Sequence, residues 1–282
     1  MRAVVQHLLQ RKGAARIALI PAEVLEALND GLVPTVHLNE LLAIDLPRLA
    51  RNVALQVGLD AQAERLQDTL AMLGVFPPMR RHMHVARALY DLAAEREDRD
   101  RIAHALATHP SDVARSWAAQ WIAFSGLALP EALQSVRRFA TDPHFGVREM
   151  AWMAVREEVG RDVEGAVTLL LPWVHDGDAN VRRFASELTR PHGVWCAPLK
   201  TLKAQPWLAL QLLEPLKSDP SLYVRNSVAN WLNDASRTHP EWVQATCGRW
   251  LLESPTAETT SLVRRALRTV RKKQALTELT RL

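Results

Sequence analysis

Three segments of this chain repeat one spacing: an Asp, a Val five residues on and an Arg six residues on, at Asp142/Val147/Arg148, Asp176/Val181/Arg182 and Asp219/Val224/Arg225. The segment HPSDVARSWAAQWI, residues 109–122, lines up with them, and a weaker copy stands around Val263 and Arg264. The copies begin at 109, 142, 176 and 219, so the period runs from 33 to 43 residues. Each Asp is followed by Pro or Gly, a pairing that ends one helix and turns the chain; Val and Arg then open the next helix. Between the copies, stretches such as PEALQSVRRFA and WLALQLLEPLKS supply the first helix of each pair. A two-helix unit cannot bury its core alone, so the units must stack.

A period of this length is that of HEAT and armadillo-type units. The pattern predicts an all-α chain, a right-handed superhelical solenoid of HEAT-like repeats with a concave basic groove. Residues 101–282 carry the repeats, as one continuous solenoid domain, and residues 1–100 form an N-terminal helical cap. In that cap PAEVLEAL, HLNELLAIDLPRLARNVAL and AQAERLQDTLAML are amphipathic, and Pro77-Pro78 breaks the chain before MRRHMHVARALYDLAAERE resumes it. Hydrophobic residues at 48% are ample for a continuous core, and the abundance of Ala, Leu and Arg favours helices. No glycine-rich phosphate loop and no alternating strand pattern is present. The two cysteines, Cys196 and Cys247, have no zinc or disulfide spacing, which makes a reducing cytoplasm the expected setting. No apolar run reads as a signal peptide or a membrane span. The net charge of +4 rests largely on Arg, whose forked guanidinium suits phosphate, so a nucleic-acid partner is permitted.

Three offsets from each repeat Arg fall on one side of the second helices, away from the apolar spine. They hold Glu149, Arg183 and Asn226; Met153, Glu187 and Asn230; and Arg156, Arg190 and Asn233, with Asp234 one step further. With Lys200 and Lys203 close in sequence, the arginines suit a polyanion. Carboxylates within a phosphate-binding surface repel such a ligand. An enzyme acting on a positively charged part of DNA has a use for them.

Plainer readings stand beside this one. Arg148, Arg182 and Arg225 read as structural, pairing with Asp of adjacent repeats in a ladder. Glu187 suits an i, i+4 partner of Arg183 as well as a site residue. Trp117, Trp121, Trp173, Trp207 and Trp250 sit at apolar helical positions and read as core. Trp195 follows a Pro-x-Gly turn instead, and exposed and buried readings are even for it. His82 and His84 point in different directions on a helix and make no metal site. Cys247 reads as buried. The tail VRRALRTVRKK reads as a solvated helix end or a further phosphate contact.

HFGVREMAWMAVR, NVRRFASELTRPHGVWC and DPSLYVRNSVANWLNDASRTHPEWV resemble the DNA alkylation repair proteins, the HEAT-like DNA glycosylases AlkC and AlkD, and look nearest to the AlkC branch. The resemblance covers about residues 100 to 273. It implies excision of cationic alkylated purines, of the 3-methyladenine kind, from double-stranded DNA without a metal or other cofactor and without flipping of the damaged nucleotide. By match to the family's motifs, Glu149, Glu187, Trp195 and Asp234 are the positions expected to face the lesion.

Alkylation at a ring nitrogen makes the base a better leaving group, and carboxylates stabilise the departing cation and the oxocarbenium-like sugar. In this reading Glu187 and Asp234 carry the electrostatics and orient water, Glu149 assists, and Trp195 contacts the lesion. Arg156, Arg183, Arg190, Lys200 and Lys203 hold phosphates, while Asn230 and Asn233 position backbone oxygens or water. The expected partner is duplex DNA bound by a monomer, cytoplasmic and nucleoid-associated when on DNA. The alternative is a non-catalytic HEAT-repeat scaffold for DNA structures or a protein.

Overall fold

The structure, a computed structural model, describes residues 2–60, 66, 70–94, 96–193 and 195–279. Among them every regular element is a helix and none is a strand, so the all-α, HEAT-like expectation holds. The amphipathic stretch expected over 61–73 lies for the most part outside the described residues. Two compact units are present, one of Met1–Leu127 with Asp142–Ala154 and one of Ala128–Thr141 with Val155–Leu282.

In the first unit, helix Leu46–Val57 shows how local chemistry sets an element. The Asp45 carboxylate caps it by accepting from the Arg48 N–H, Pro47 fits the first turn, and Gly58 ends it at φ 87°. Leu49, Ala50, Val53, Ala54 and Val57 form its buried stripe. Two buried carboxylates knit this unit together. Glu40 accepts from Arg11 Nε at 3.0 Å and from the Val36 N–H at 2.8 Å. Asp112 accepts from the Thr35 N–H and hydroxyl, both at 2.8 Å, and faces His144 Nδ1 at 3.1 Å.

The second unit is built from helix pairs that include Ala179–Leu188, Leu222–Ala235 and Ala257–Ala266; Leu222–Ala235 packs against both of the others. The repeat Asp does two things. Its Oδ1 accepts an N–H two residues on, at Asp142, Asp176 and Asp219, forming the turn. Its carboxylate also receives an arginine: Arg115 bonds Asp142 at 2.8 and 3.2 Å, and Arg182 bonds Asp219 at 2.6 and 3.0 Å. The expected ladder therefore exists at Arg182 and extends to Arg115. Arg148 and Arg225 add a different role, donating to the carbonyls of their own turns: Asp142 and Pro143, and Asp219 and Pro220. Those carbonyls precede a helix and would otherwise need water.

Trp117, Trp121, Trp173 and Trp250 are buried as expected, as is Cys247; each fully buried large apolar side chain contributes roughly 2–3 kcal/mol. Trp207 corrects the core reading, since it is 46% exposed. Pro206 starts a short 3-10 turn there in place of a regular α-helix, which rotates the indole out to meet His239 edge-on. Among the described residues no helix is long and apolar enough to cross a membrane, and no three His, Cys, Asp or Glu side chains gather as a metal site.

Candidate functional site

The site grows from the end of helix Ala179–Leu188. The Thr189 hydroxyl turns back to the Ala185 carbonyl at 2.8 Å, and Pro191 forbids further helix. The loop that follows is held by Arg156, on the second unit's part of helix Phe145–Arg161. Its guanidinium donates to the Leu188 and Arg190 carbonyls at 2.7 Å each and to the Ala197 carbonyl at 3.3 Å. Helix-end carbonyls lack intrahelical partners, and Arg156 supplies them. It is 4% exposed, so it clamps the loop and is not placed to hold a phosphate. The spacing put Arg156 on the outward stripe because a residue pattern does not reveal a loop folding back over that stripe.

The clamp leaves Gly193 no room: a Cβ there would run into the Cys196 thiol and lie 3.1 Å from the Arg156 guanidinium carbon. Two residues later Trp195 has φ 66° and is 64% exposed. A bulky residue in the left-handed region costs roughly 1–2 kcal/mol and persists where its surroundings impose it. The even choice left open for this indole thus resolves toward exposure.

Beneath this loop two carboxylates share one arginine. Arg190 Nη1 donates to Glu187 at 3.1 Å, while Nε and Nη2 reach the Asp234 Oδ2 at 2.9 and 2.8 Å. Arg183 approaches Glu187 at 3.4 Å and lies over the Tyr223 ring at 4.2 Å. Glu187 and Asp234 are 3% and 4% exposed. Asp234 Oδ1 is different: its contact with Arg237 is long, at 3.9 Å, and it takes no hydrogen bond among the described residues. Burial pushes the Asp234 carboxyl above the usual carboxylate range, with Arg190 pulling the other way. Burial likewise opposes the charge on Arg190, yet Glu187 and Asp234 hold it firmly protonated. In the loop, burial lowers His192 and raises the Cys196 thiol. The His192 Nε2 is shut from solvent and unbonded among the described residues.

The other expected residues divide. Lys200 and Lys203 are exposed, as phosphate contacts require. Asn233 is buried and committed, donating to the Ala266 carbonyl at 3.0 Å and accepting from Thr269 at 3.2 Å; it ties helices together. Asn230 accepts from Arg265 at 3.4 Å and Arg268 at 3.1 Å. Glu149 belongs to the first unit, where it accepts from the Trp152 indole at 2.9 Å. There it lines a largely apolar cleft with Leu41, Met79, His82, Val113 and Met150. Burial, assisted by Arg81, brings His82 down to about 4. Three arginines escaped the repeat comparison: Arg237 and Arg268, whose charges act on Asp234, and Arg265, which meets Arg268 at Asn230. Arg265 and Arg268 were visible in the basic tail, while Arg237 had no signal beyond standing three residues after Asp234.

Residues 99–189 match the family model for HEAT repeats. The chain is 37% identical over 143 residues to the uncharacterized protein YhaZ of Bacillus subtilis (strain 168), a match covering 51% of this chain. It superposes on the Pseudomonas fluorescens alkylpurine DNA glycosylase AlkC, bound to DNA containing an abasic site analog, with a TM-score of 0.66 and 27% identity over 81% of this chain. AlkD2 from Streptococcus mutans shares the fold, with a TM-score of 0.56 and 20% identity; the match covers 73% of this chain and 97% of that one. The chain spans 37% of the length of YhaZ and 63% of the AlkC chain.

Proposed function

Since this chain belongs to the AlkC/AlkD-like superfamily of HEAT-repeat proteins, we propose that it is a DNA repair glycosylase that hydrolyses the N-glycosidic bond of cationic alkylated purines in duplex DNA. The observation that carries this reading is Asp234: a buried carboxylate with one oxygen held by Arg190 and the other taking no hydrogen bond among the described residues, in a unit that also presents a strained and exposed indole, Trp195. In the reaction the C1′–N bond breaks, its electron pair leaves with the base and neutralises it, and a water oxygen bonds to C1′ while losing a proton. Asp234 Oδ1 orients that water and stabilises the positive sugar, and Glu187 adds negative potential. Trp195 lies against the cationic nucleotide, an interaction worth roughly 0.5–2 kcal/mol. Lys200, Lys203 and the outer edge of Arg183 contact phosphates. Because the lesion is already labile and charged, selectivity follows from potential and needs no deep pocket. The protein acts as a monomer on cytoplasmic duplex DNA without a metal or other cofactor.

The test is release of free base from methylated duplex. Wild type is expected to liberate 3-methyladenine, and Glu187→Gln and Asp234→Asn to slow release at least tenfold with DNA affinity retained. Equal rates in all three proteins remove these roles.

One observation favours a second reading. Arg190 engages both carboxylates, as it would in a purely structural cluster. A non-catalytic scaffold for DNA predicts duplex binding with no base released even at large protein excess.

A further inference from the structure

Around Asp234 the positive charges outnumber the negative ones. Arg265 and Arg268 are both exposed, yet they do not spread away from each other. Asn230 Oδ1 accepts from Arg265 Nε at 3.4 Å and from Arg268 Nη2 at 3.1 Å, and Arg268 Nη1 donates to the Arg265 carbonyl at 2.8 Å. One amide oxygen thus gathers two guanidiniums that would repel. Arg237, 57% exposed along its side chain, stands 3.9 Å from Asp234 on the same helix end. Burial and the fields of Arg265, Arg190 and Arg237 draw Arg268 below the ordinary guanidinium range, with Asp234 opposing them. Like charges held together cost free energy in the unliganded protein, and an anion between them removes that cost.

We propose that Arg265 and Arg268, aligned by Asn230 and joined by Arg237, form a preorganised clamp for a single DNA phosphodiester beside the nucleotide that Asp234 faces. The clamp rests on the reading that duplex DNA is the partner. Its chemistry is forked guanidinium contact with phosphate oxygens. Asn230, expected to touch the DNA itself, acts here through the two arginines as a positioning residue. The clamp also gives Asp234 a definite neighbour: the arginines offset the repulsion between its carboxylate and the bound phosphate, and that phosphate in turn holds the adjoining sugar near Asp234.

The test is equilibrium binding of a short fluorescent methylated duplex across a salt series, for wild type, Arg265→Gln, Arg268→Gln, the double variant and Asn230→Ala. Loss of either arginine is expected to weaken binding, and the double variant, which gives up the one phosphate contact, to lower the slope of log affinity against log salt by about 0.9. Asn230→Ala keeps every charge, so its slope stays at the wild-type value while affinity falls about threefold, a pattern that a diffuse positive surface would not give. A wild-type slope in the double variant overturns the clamp, and wild-type affinity in Asn230→Ala overturns its preorganisation. If wild type itself fails to bind duplex, the DNA reading is what has failed.

Discussion

Asp112 in the first unit and Asp234 in the second are buried to nearly the same degree, at 2% and 4% exposure, and sit in opposite chemical situations. Asp112 is closed. Its oxygens accept from the Thr35 N–H and hydroxyl, and the His144 ring packs alongside at 3.1 Å, so its charge is spent on joining residues far apart in the chain. Asp234 is half closed, with Oδ2 held by Arg190 and Oδ1 taking no hydrogen bond among the described residues. Burial alone therefore identifies no site; the difference lies in how the lone pairs are used.

That contrast can be broken experimentally. The largest effect is expected from Asp112→Ala, which orphans the Thr35 N–H and hydroxyl and lowers unfolding free energy by about 3 kcal/mol, roughly a hundredfold in the folding equilibrium, while base release below the melting transition stays unchanged. Chemical denaturation measures the first and a release assay the second; a protein that loses activity without stability would reverse the two roles. Asp234→Asn is expected to do the opposite, slowing release at least tenfold with its unfolding free energy kept within a few tenths of a kcal/mol.

The pH profile of the wild type sharpens the same contrast. Release requires the ionised carboxylate and is lost as pH falls through the folded Asp234 pKa. Burial raises that pKa, so the acid limb begins above the ordinary value of about 4. In stability the sign inverts: a raised carboxyl pKa favours the fold below the unfolded value and is lost as pH rises through the folded one. A limb that persists in Asp234→Asn would assign it to another group.

Smaller effects follow. Trp195→Gly relieves about 1 kcal/mol of left-handed strain, so the melting temperature should not fall, whereas release should slow about fivefold through the lost indole. A drop in melting temperature would mean that the indole supports the fold. Smallest is Arg182→Lys, which keeps charge but loses the fork on Asp219 and the turn carbonyls; about 1 kcal/mol of stability and no activity should go with it.

The repeat itself was legible because turn chemistry is local. Asp142, Asp176 and Asp219 each cap a turn with their own side chain, and Arg182 meets Asp219 one period on. The arginine ladder begins earlier than the Asp pattern suggests because His109 replaces Asp at the first turn, its ring accepting the Ser111 N–H in the same way. Glu187 and Asp234 were readable as a pair because a helical stripe projects them consistently. What failed was long-range closure. Arg156 and Asn233 lie on the same stripe, yet the carbonyls that capture them belong to a returning loop and to the next helix. Trp207 looked apolar and internal, and only the 3-10 turn after Pro206 puts it outside. Arg265 and Arg268 sit where the repeat is weakest, so no register singled them out.

The rigid mount of Trp195 has a spectroscopic consequence. Trp117, Trp152, Trp231 and Trp250 are fully buried, while Trp195 projects into solvent from a loop pinned by Arg156 and Gly193. In a background with Trp207 and the partly exposed Trp242 both replaced by Phe, its red-shifted emission becomes a selective target for iodide quenching, so loss of quenching on adding duplex would time the arrival of a nucleotide at this indole without any attached dye.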